Sequence, residues 1–195
     1  NEWVFCNHEE ITSITLNDGL TTIQGWAFYD TGITSINIPA SVTEIITDHD
    51  ISGYGIHANP FGSCNNLATI TVDANNTVYS SPTGSNAIIE TATNKLVVGC
   101  MGTGIAKLPN VTEIGYAAFH DLAGLTEFTI PSNITTIGEG AFSGCSNLSA
   151  VTVEATTPIN ISGMSYPPFD GTKKDKLYVP VGTKAAYQAA DGWNE

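Results

Sequence analysis

An aliphatic triplet with fixed internal spacing recurs along the chain: Ile11/Ile14/Leu16, Ile33/Ile36/Ile38, Leu67/Ile70/Val72, Leu125/Phe128/Ile130 and Leu148/Val151/Val153. The last two members of each copy alternate with polar residues, as a half-buried strand requires. Between them stand Thr15, Asn37, Thr71, Thr129 and Thr152, one per copy. A second aliphatic pair follows as Leu20/Ile23, Val42/Ile45, Val111/Ile114 and Ile134/Ile137, and predicts a short second strand or bend. Gly115 and Gly138 then release the chain into the next turn. The aromatic residues Phe28, Phe61, Phe119, Phe142 and Phe169 close each unit.

The step from Leu125 to Leu148 is 23 residues, a period that predicts a solenoid of stacked units rather than a sandwich or a barrel. No single unit can bury its apolar edge alone, so stacking makes the core. In such a stack the column from Thr15 to Thr152 faces away from the core as a polar ladder on the open face of the sheet. Units are expected at about 11–32, 33–66, 67–104, 105–124, 125–147 and 148–172, with a cap at 173–195, in one domain over 1–195 with no linker. The step from Ile33 to Leu67 is 34 residues, which places an insert around Thr47–Asn59. The longer gap from Leu67 to Leu125 holds Asn86–Glu90 and Lys95–Gly99, two β-type runs around Thr91-Ala92-Thr93-Asn94 that predict a hairpin. The end differs again: Leu177-Tyr178-Val179-Pro180 reads as a strand, and Thr183 as the cap of a short helix over Lys184–Ala190. A polar-faced terminal unit keeps a solenoid from associating end to end.

Charge narrows the partner classes. The net charge is −13, there is no Arg, and the ten acids of residues 1–90 face no Lys at all. Three of the six lysines are Lys173, Lys174 and Lys176. An acidic, Arg-free chain lacks the electrostatic footprint for nucleic acid or anionic lipid. No apolar run reaches the roughly 18 residues of a membrane span. Asn1 is not a natural start, so the chain reads as a processed or trimmed one in which a removed signal would be invisible.

Candidate chemistry is sparse. His8-Glu9 opens like a zinc-protease helix motif, but Thr12 stands where the second His belongs. Gly102-x-Gly104 precedes Lys107 without the spacing of a phosphate loop. Asp48-His49-Asp50 with His57 reads as solvated loop residues rather than a metal site, and His120-Asp121 as corner residues rather than a dyad. Cys6, Cys64, Cys100 and Cys145 show no CxxC spacing. Cys64 and Cys145 each lie three residues after a unit-closing Phe and read as small buried hydrophobes, with a disulfide network as the alternative. Sequons begin at Asn75, Asn110, Asn133, Asn147 and Asn160, as expected by chance in so Asn- and Thr-rich a chain. Trp26, Tyr54, Tyr79, Tyr116, Tyr166 and Trp193 fall outside the aliphatic columns. Trp26 aligns with Tyr116 on an outer corner. Such aromatics either stack on sugars or a peptide, or pack between units.

The phrase Ile130-Pro131-Ser132-Asn133-Ile134-Thr135-Thr136-Ile137-Gly138-Glu139-Gly140-Ala141-Phe142-Ser143-Gly144-Cys145-Ser146-Asn147-Leu148 resembles the BspA-like leucine-rich repeats of Bacteroidetes surface proteins. The segment Asn86–Leu96 resembles that family's hairpin insert, and Leu177-Tyr178-Val179-Pro180-x-Gly182-x-x-Ala185-Ala186-Tyr187-Gln188 its C-terminal unit. The resemblance runs over roughly residues 11–190 and departs at Asn17-Asp18-Gly19, which replaces the Pro turn, and at the Thr47–Asn59 insert. It implies a β-rich leucine-rich-repeat solenoid, right-handed and curved, of about five to six coils. It also implies an exported protein, at the cell surface or extracellular, with no shared catalytic residues and hence no enzyme activity or cofactor. A protein partner, of host matrix or bacterial surface, would meet the exposed sheet and the inserts; Thr15, Asn37, Thr71, Thr129, Thr152 and Tyr54 are the candidate contact residues. A glycan-binding surface using Tyr54 and Tyr166, or a spacer for another domain, are the alternatives.

Overall fold

Where two copies of the triplet lie side by side, their alternation closes into parallel ladders. The computed structural model describes residues 4–47 and 59–194. Its strands, in chain order, are β1 (Thr22–Ile23), β2 (Ser35–Ile38), β3 (Glu44–Ile45), β4 (Thr69–Val72), β5 (Tyr79–Ser80) and β6 (Ile88–Glu90). They continue with β7 (Lys95–Val98), β8 (Glu113–Ile114), β9 (Glu127–Ile130), β10 (Thr136–Ile137), β11 (Ala150–Val153) and β12 (Lys176–Tyr178), followed by the helix α1 (Lys184–Ala189).

The triplets build the open sheet. β2 pairs with β4, setting Ile36 against Ile70 and Asn37 against Thr71. β9, β11 and β12 form a second panel, in which Phe128 meets Val151, and Thr129, Thr152 and Tyr178 share one row. The first copy is the exception. Residues 11–16 keep the alternation of half-buried and exposed positions, but form no strand. Local turns hold them instead: the Ile11 amide donates to the His8 carbonyl and the Leu20 amide to the Asn17 carbonyl.

The second aliphatic pairs make the opposite wall, β1 with β3, and β10-β8-β7-β6-β5 in a mixed sheet. The hairpin forms as the sequence predicts, with Asn94 in the left-handed region at φ 56° to close its turn. It does not project as an insert. β7 runs parallel to β8 with Leu96 opposite Ile114, continuing the aliphatic column. Ile88, Ile89, Leu96, Val97 and Val98 are all buried, because an apolar run of this kind must be covered on both faces. The two faces serve different cores. Ile89 and Leu96 pack with the residues that run on to Tyr187, whereas Ile88, Val97 and Val98 pack with those from Ile23 to Cys100.

Aromatic rings stack along the corners, Phe5 on Phe28 on Phe61, and Phe119 on Phe142 on Phe169, at centroid spacings of 5.0–5.8 Å. Phe5 is thus a further copy of the corner. Corner amides reach the next unit's carbonyl, Phe5 to Ala27, Phe28 to Pro60, Phe119 to Ala141 and Phe142 to Pro168, whereas the Phe61 amide donates to the Asn59 side-chain oxygen. Two residues after each ring the chain turns left-handed, at Asn7, Asp30, Ser63, Asp121, Gly144 and Gly171. Two residues before the ring, Trp26, Ala117 and Gly140 do the same. Trp26 therefore matches Ala117, not Tyr116, and it is only 3 % exposed.

Side chains bind neighbouring units where backbone ladders do not. The Asn76 amide donates to the carbonyls of Pro39 and Val42, and Asn133 repeats the clamp on Leu108 and Val111. Thr183 occupies the cap position of α1, but its hydroxyl donates to the Pro180 carbonyl instead of accepting from a helix amide. The end unit is pinned by Tyr187, whose hydroxyl donates to the Ala155 carbonyl, and by Trp193, whose indole donates to that of Ile159. Its outer side is not polar throughout, since Leu177, Tyr178 and Val181 are exposed.

All four cysteines are free. Cys64 and Cys145 donate from equivalent positions to the carbonyls of Phe28 and Phe119, at 3.0 Å each. Burial pushes the Cys145 thiol from its ordinary value of 9.0 up to about 12. In the unfolded chain the thiol ionises near 9, whereas the folded chain keeps its proton up to about 12. The unfolded state therefore binds fewer protons across that window, and stability falls as pH rises through it. Denaturant midpoints should drop between about pH 9 and 12, and Cys145→Ala should flatten that drop. Identical pH slopes in the two proteins would rule the assignment out.

Candidate binding face

The open sheet is the candidate site, because its outward side chains are offered to solvent while the inward ones lock the strands from behind. Ser35, Asn37, Thr69 and Thr71 are exposed on the first panel, and the Thr71 hydroxyl donates to the Asn37 side-chain oxygen at 2.9 Å. On the second panel the outward rows are Glu127-Ala150-Lys176 and Thr129-Thr152-Tyr178. Thr129 is exposed and Thr152 half-buried. The chemistry on offer is mostly hydroxyl and amide: it donates and accepts hydrogen bonds but carries little charge.

The two panels do not touch. Residues 100–107 take the place of a strand between β4 and β9 without forming one, ending in a 3-10 turn at Ile105–Lys107. Glycine permits this close approach: a Cβ on Gly102 would lie 1.9 Å from the Ala68 carbonyl oxygen. The Met101 amide donates to the Leu67 carbonyl at 3.1 Å, tying the segment to the first panel. On its other side a cleft of about 380 Å³ opens toward the second panel, lined by Met101, Thr103, Glu127, Thr129, Thr152 and Tyr178.

The candidate contact residues thus divide into groups. Asn37 and Thr71 stand together, Thr129 and Thr152 stand together across the break, and Thr15 is exposed but lies on no strand. Tyr54 lies outside the described residues, as do Asp48, His49, Asp50 and His57. Among the aromatic residues, Trp26 and Tyr79 are buried, and Tyr116, Tyr166 and Trp193 are half-buried. The Tyr79 hydroxyl accepts from the Ile45 amide at 3.0 Å. The exposed ring on the face is Tyr178, 53 % accessible, one row beyond Thr152. The sequence carries a signal for it, since Leu177-Tyr178-Val179 repeats the alternation of Val151-Thr152-Val153.

Away from this face, Asp121 accepts from the Tyr29 hydroxyl at 2.7 Å and sits 3.2 Å from His120 Nδ1. Burial first, and then the Asp121 carboxylate, raises the Tyr29 phenol well above its ordinary range. The group joins units distant in sequence at a corner. Among the described residues no set of three His, Cys, Asp or Glu is placed to hold a metal, and no helix is long and apolar enough to cross a membrane.

The profile of the family described as BspA type Leucine rich repeat region matches residues 1–96 and 93–185, in six copies. The chain belongs to this family. No curated protein matches. Among solved structures, a leucine-rich repeat protein from Eubacterium ventriosum is 22 % identical, with a TM-score of 0.52, over 79 % of this chain and 45 % of that one. A leucine rich cell surface protein from Faecalibacterium prausnitzii is 20 % identical, with a TM-score of 0.47, over 90 % of this chain and 56 % of that one. The pneumococcal vaccine antigen PcpA is 13 % identical, with a TM-score of 0.44, over 93 % of this chain and 55 % of that one. The chain spans about half the length of these structures. The first similarity, with the family match, establishes a leucine-rich repeat fold; no catalytic family is indicated.

Proposed function

We propose that this chain is a non-catalytic module, exported and displayed at the cell surface, that takes a protein partner on the open sheet and across its break. The observation that carries this is the row Thr129-Thr152-Tyr178 beside the cleft: hydrogen-bonding groups and one exposed ring, held on strands that the core fixes from behind. Rigid backing lowers the ordering cost of binding, and an accessible tyrosine is a residue type that anchors interfaces.

The test is immobilised binding of the chain to extracellular matrix proteins and to bacterial surface extracts. The double substitution Thr129→Arg with Thr152→Arg should weaken capture about tenfold or more, roughly 1.4 kcal/mol, while leaving the melting temperature near that of the parent. Blank results across both panels, or capture unaffected by the substitutions, would remove the support for adhesion. Glycan recognition is the second reading, favoured by the exposed Tyr178 ring next to hydroxyl groups. Glycan-array binding abolished by Tyr178→Ala would select it over the protein partner.

A further inference from the structure

The backbone of the open face, as well as its side chains, is left with something to offer. β9 is an edge strand: β11 pairs with one side of it, and no strand pairs with the other. In a parallel ladder alternate residues turn their amide and carbonyl toward the neighbour, and the residues between turn theirs to the opposite edge. The Ser149 amide donates to the Thr126 carbonyl and the Glu154 amide to that of Ile130, so the even-numbered positions of β9 face β11. The amides and carbonyls of Glu127 and Thr129 therefore point away from the ladder, into the cleft of about 380 Å³ beside residues 100–107. Among the described residues, no group across that cleft is hydrogen-bonded to them.

The edge of the first panel that faces the break is treated differently. On β4 the Asp73 amide donates to the Ile38 carbonyl, which turns Ile70 toward the break. The Ile70 carbonyl is met there by the Ser81 hydroxyl at 2.9 Å. On β9 the edge stays open, and an open edge is a template for a further strand. Its donor and acceptor pairs recur every second residue, about 6.6 Å apart, which is the repeat of another extended peptide. A strand laid there would alternate its side chains between the cleft floor and solvent. Met101 and Leu125, both half-buried, give that floor an apolar surface, and the exposed Thr129 and Tyr178 stand at its rim.

We propose that the partner of the open face is held through an extended peptide segment that adds to β9 as a further strand. Its backbone pairs with Glu127 and Thr129, and its small apolar side chains rest on Met101 and Leu125. This rests on the reading of the open face as a protein-binding surface and names how the partner is gripped. The probe is a blocked, uncharged six-residue peptide alternating threonine and valine, titrated into the isotopically labelled chain. Amide hydrogen exchange at Glu127 and Thr129 should slow saturably as it binds, while Phe128, already in the ladder, changes little. An analogue with every peptide amide N-methylated should bind at least about fivefold more weakly, because it cannot donate. Thr129→Pro, which removes an edge donor that the ladder does not use, should weaken the parent peptide by a similar factor. If that variant fails to fold, the methylated analogue still decides. The proposal fails if exchange at both residues is unmoved up to about 10 mM peptide, or if methylation leaves the affinity unchanged. It also fails if concentrating the chain alone slows the same amides, which would make the occupant a second copy. An inert peptide alongside partner capture that is lost in Thr129→Arg with Thr152→Arg would overturn strand addition and leave the open-face reading standing.

Discussion

Alanine at position 142 should lower the stability of the folded chain by about 3–5 kcal/mol, the range for removing a buried aromatic ring. Phe142 is fully buried, stacked at 5.0 Å on Phe119 and 5.2 Å on Phe169, with Phe128 edge-on at 4.8 Å. Truncation leaves a void that the rings on either side cannot close. Their spacing is set by strand ladders and corner hydrogen bonds, which hold neighbouring units about 4.8 Å apart. The control is Thr129→Ala on the open face, expected within about 0.5 kcal/mol of the parent. Denaturant midpoints for the two variants should differ widely, and coincident midpoints would contradict the assignment of inner and outer columns.

Gly102→Ala is expected to be the second most damaging change, at about 3 kcal/mol. The added Cβ would meet the Ala68 carbonyl oxygen at 1.9 Å and its carbon at 2.9 Å. Both are backbone atoms of the neighbouring unit, so no rotamer change relieves the clash and the segment must back away from the first panel. The Met101 amide, which donates to Leu67, should then exchange its hydrogen faster than in the parent. A melting temperature and a Met101 exchange rate both equal to the parent's would show that the approach is not required.

Much of this fold was legible because it rests on short periodic signals. The triplets at 33–38, 67–72, 125–130 and 148–153 became strands in the expected register, since alternation decides which side of a strand is buried. The copy at 11–16 carries the same alternation and forms no strand: a pattern states which face can be buried, and a ladder needs a partner as well. The break at 100–107 left no mark because Cys-Met-Gly-Thr-Gly-Ile-Ala-Lys has no period of its own, and what defines it is the approach of Gly102 to another unit. Trp26 was misaligned by one residue for a similar reason. Its position is defined by a left-handed backbone that Trp, Ala and Gly share, and not by side-chain chemistry. Tyr178 was readable from its alternation. The open edge of β9 was not, because it exists only where residues 100–107 form no strand beside it.

The hairpin's two-sidedness has a mechanical meaning. A chain pulled from its two ends carries tension through its units in series, so the softest joint decides how it yields. Here the joint between the two halves of the interior is not an empty seam, because β6 and β7 lend one face to each half. Neither half can peel away without exposing a surface that the other was covering. The hairpin therefore acts as a rivet through the middle of the stack, and it makes two short assemblies share a load as one.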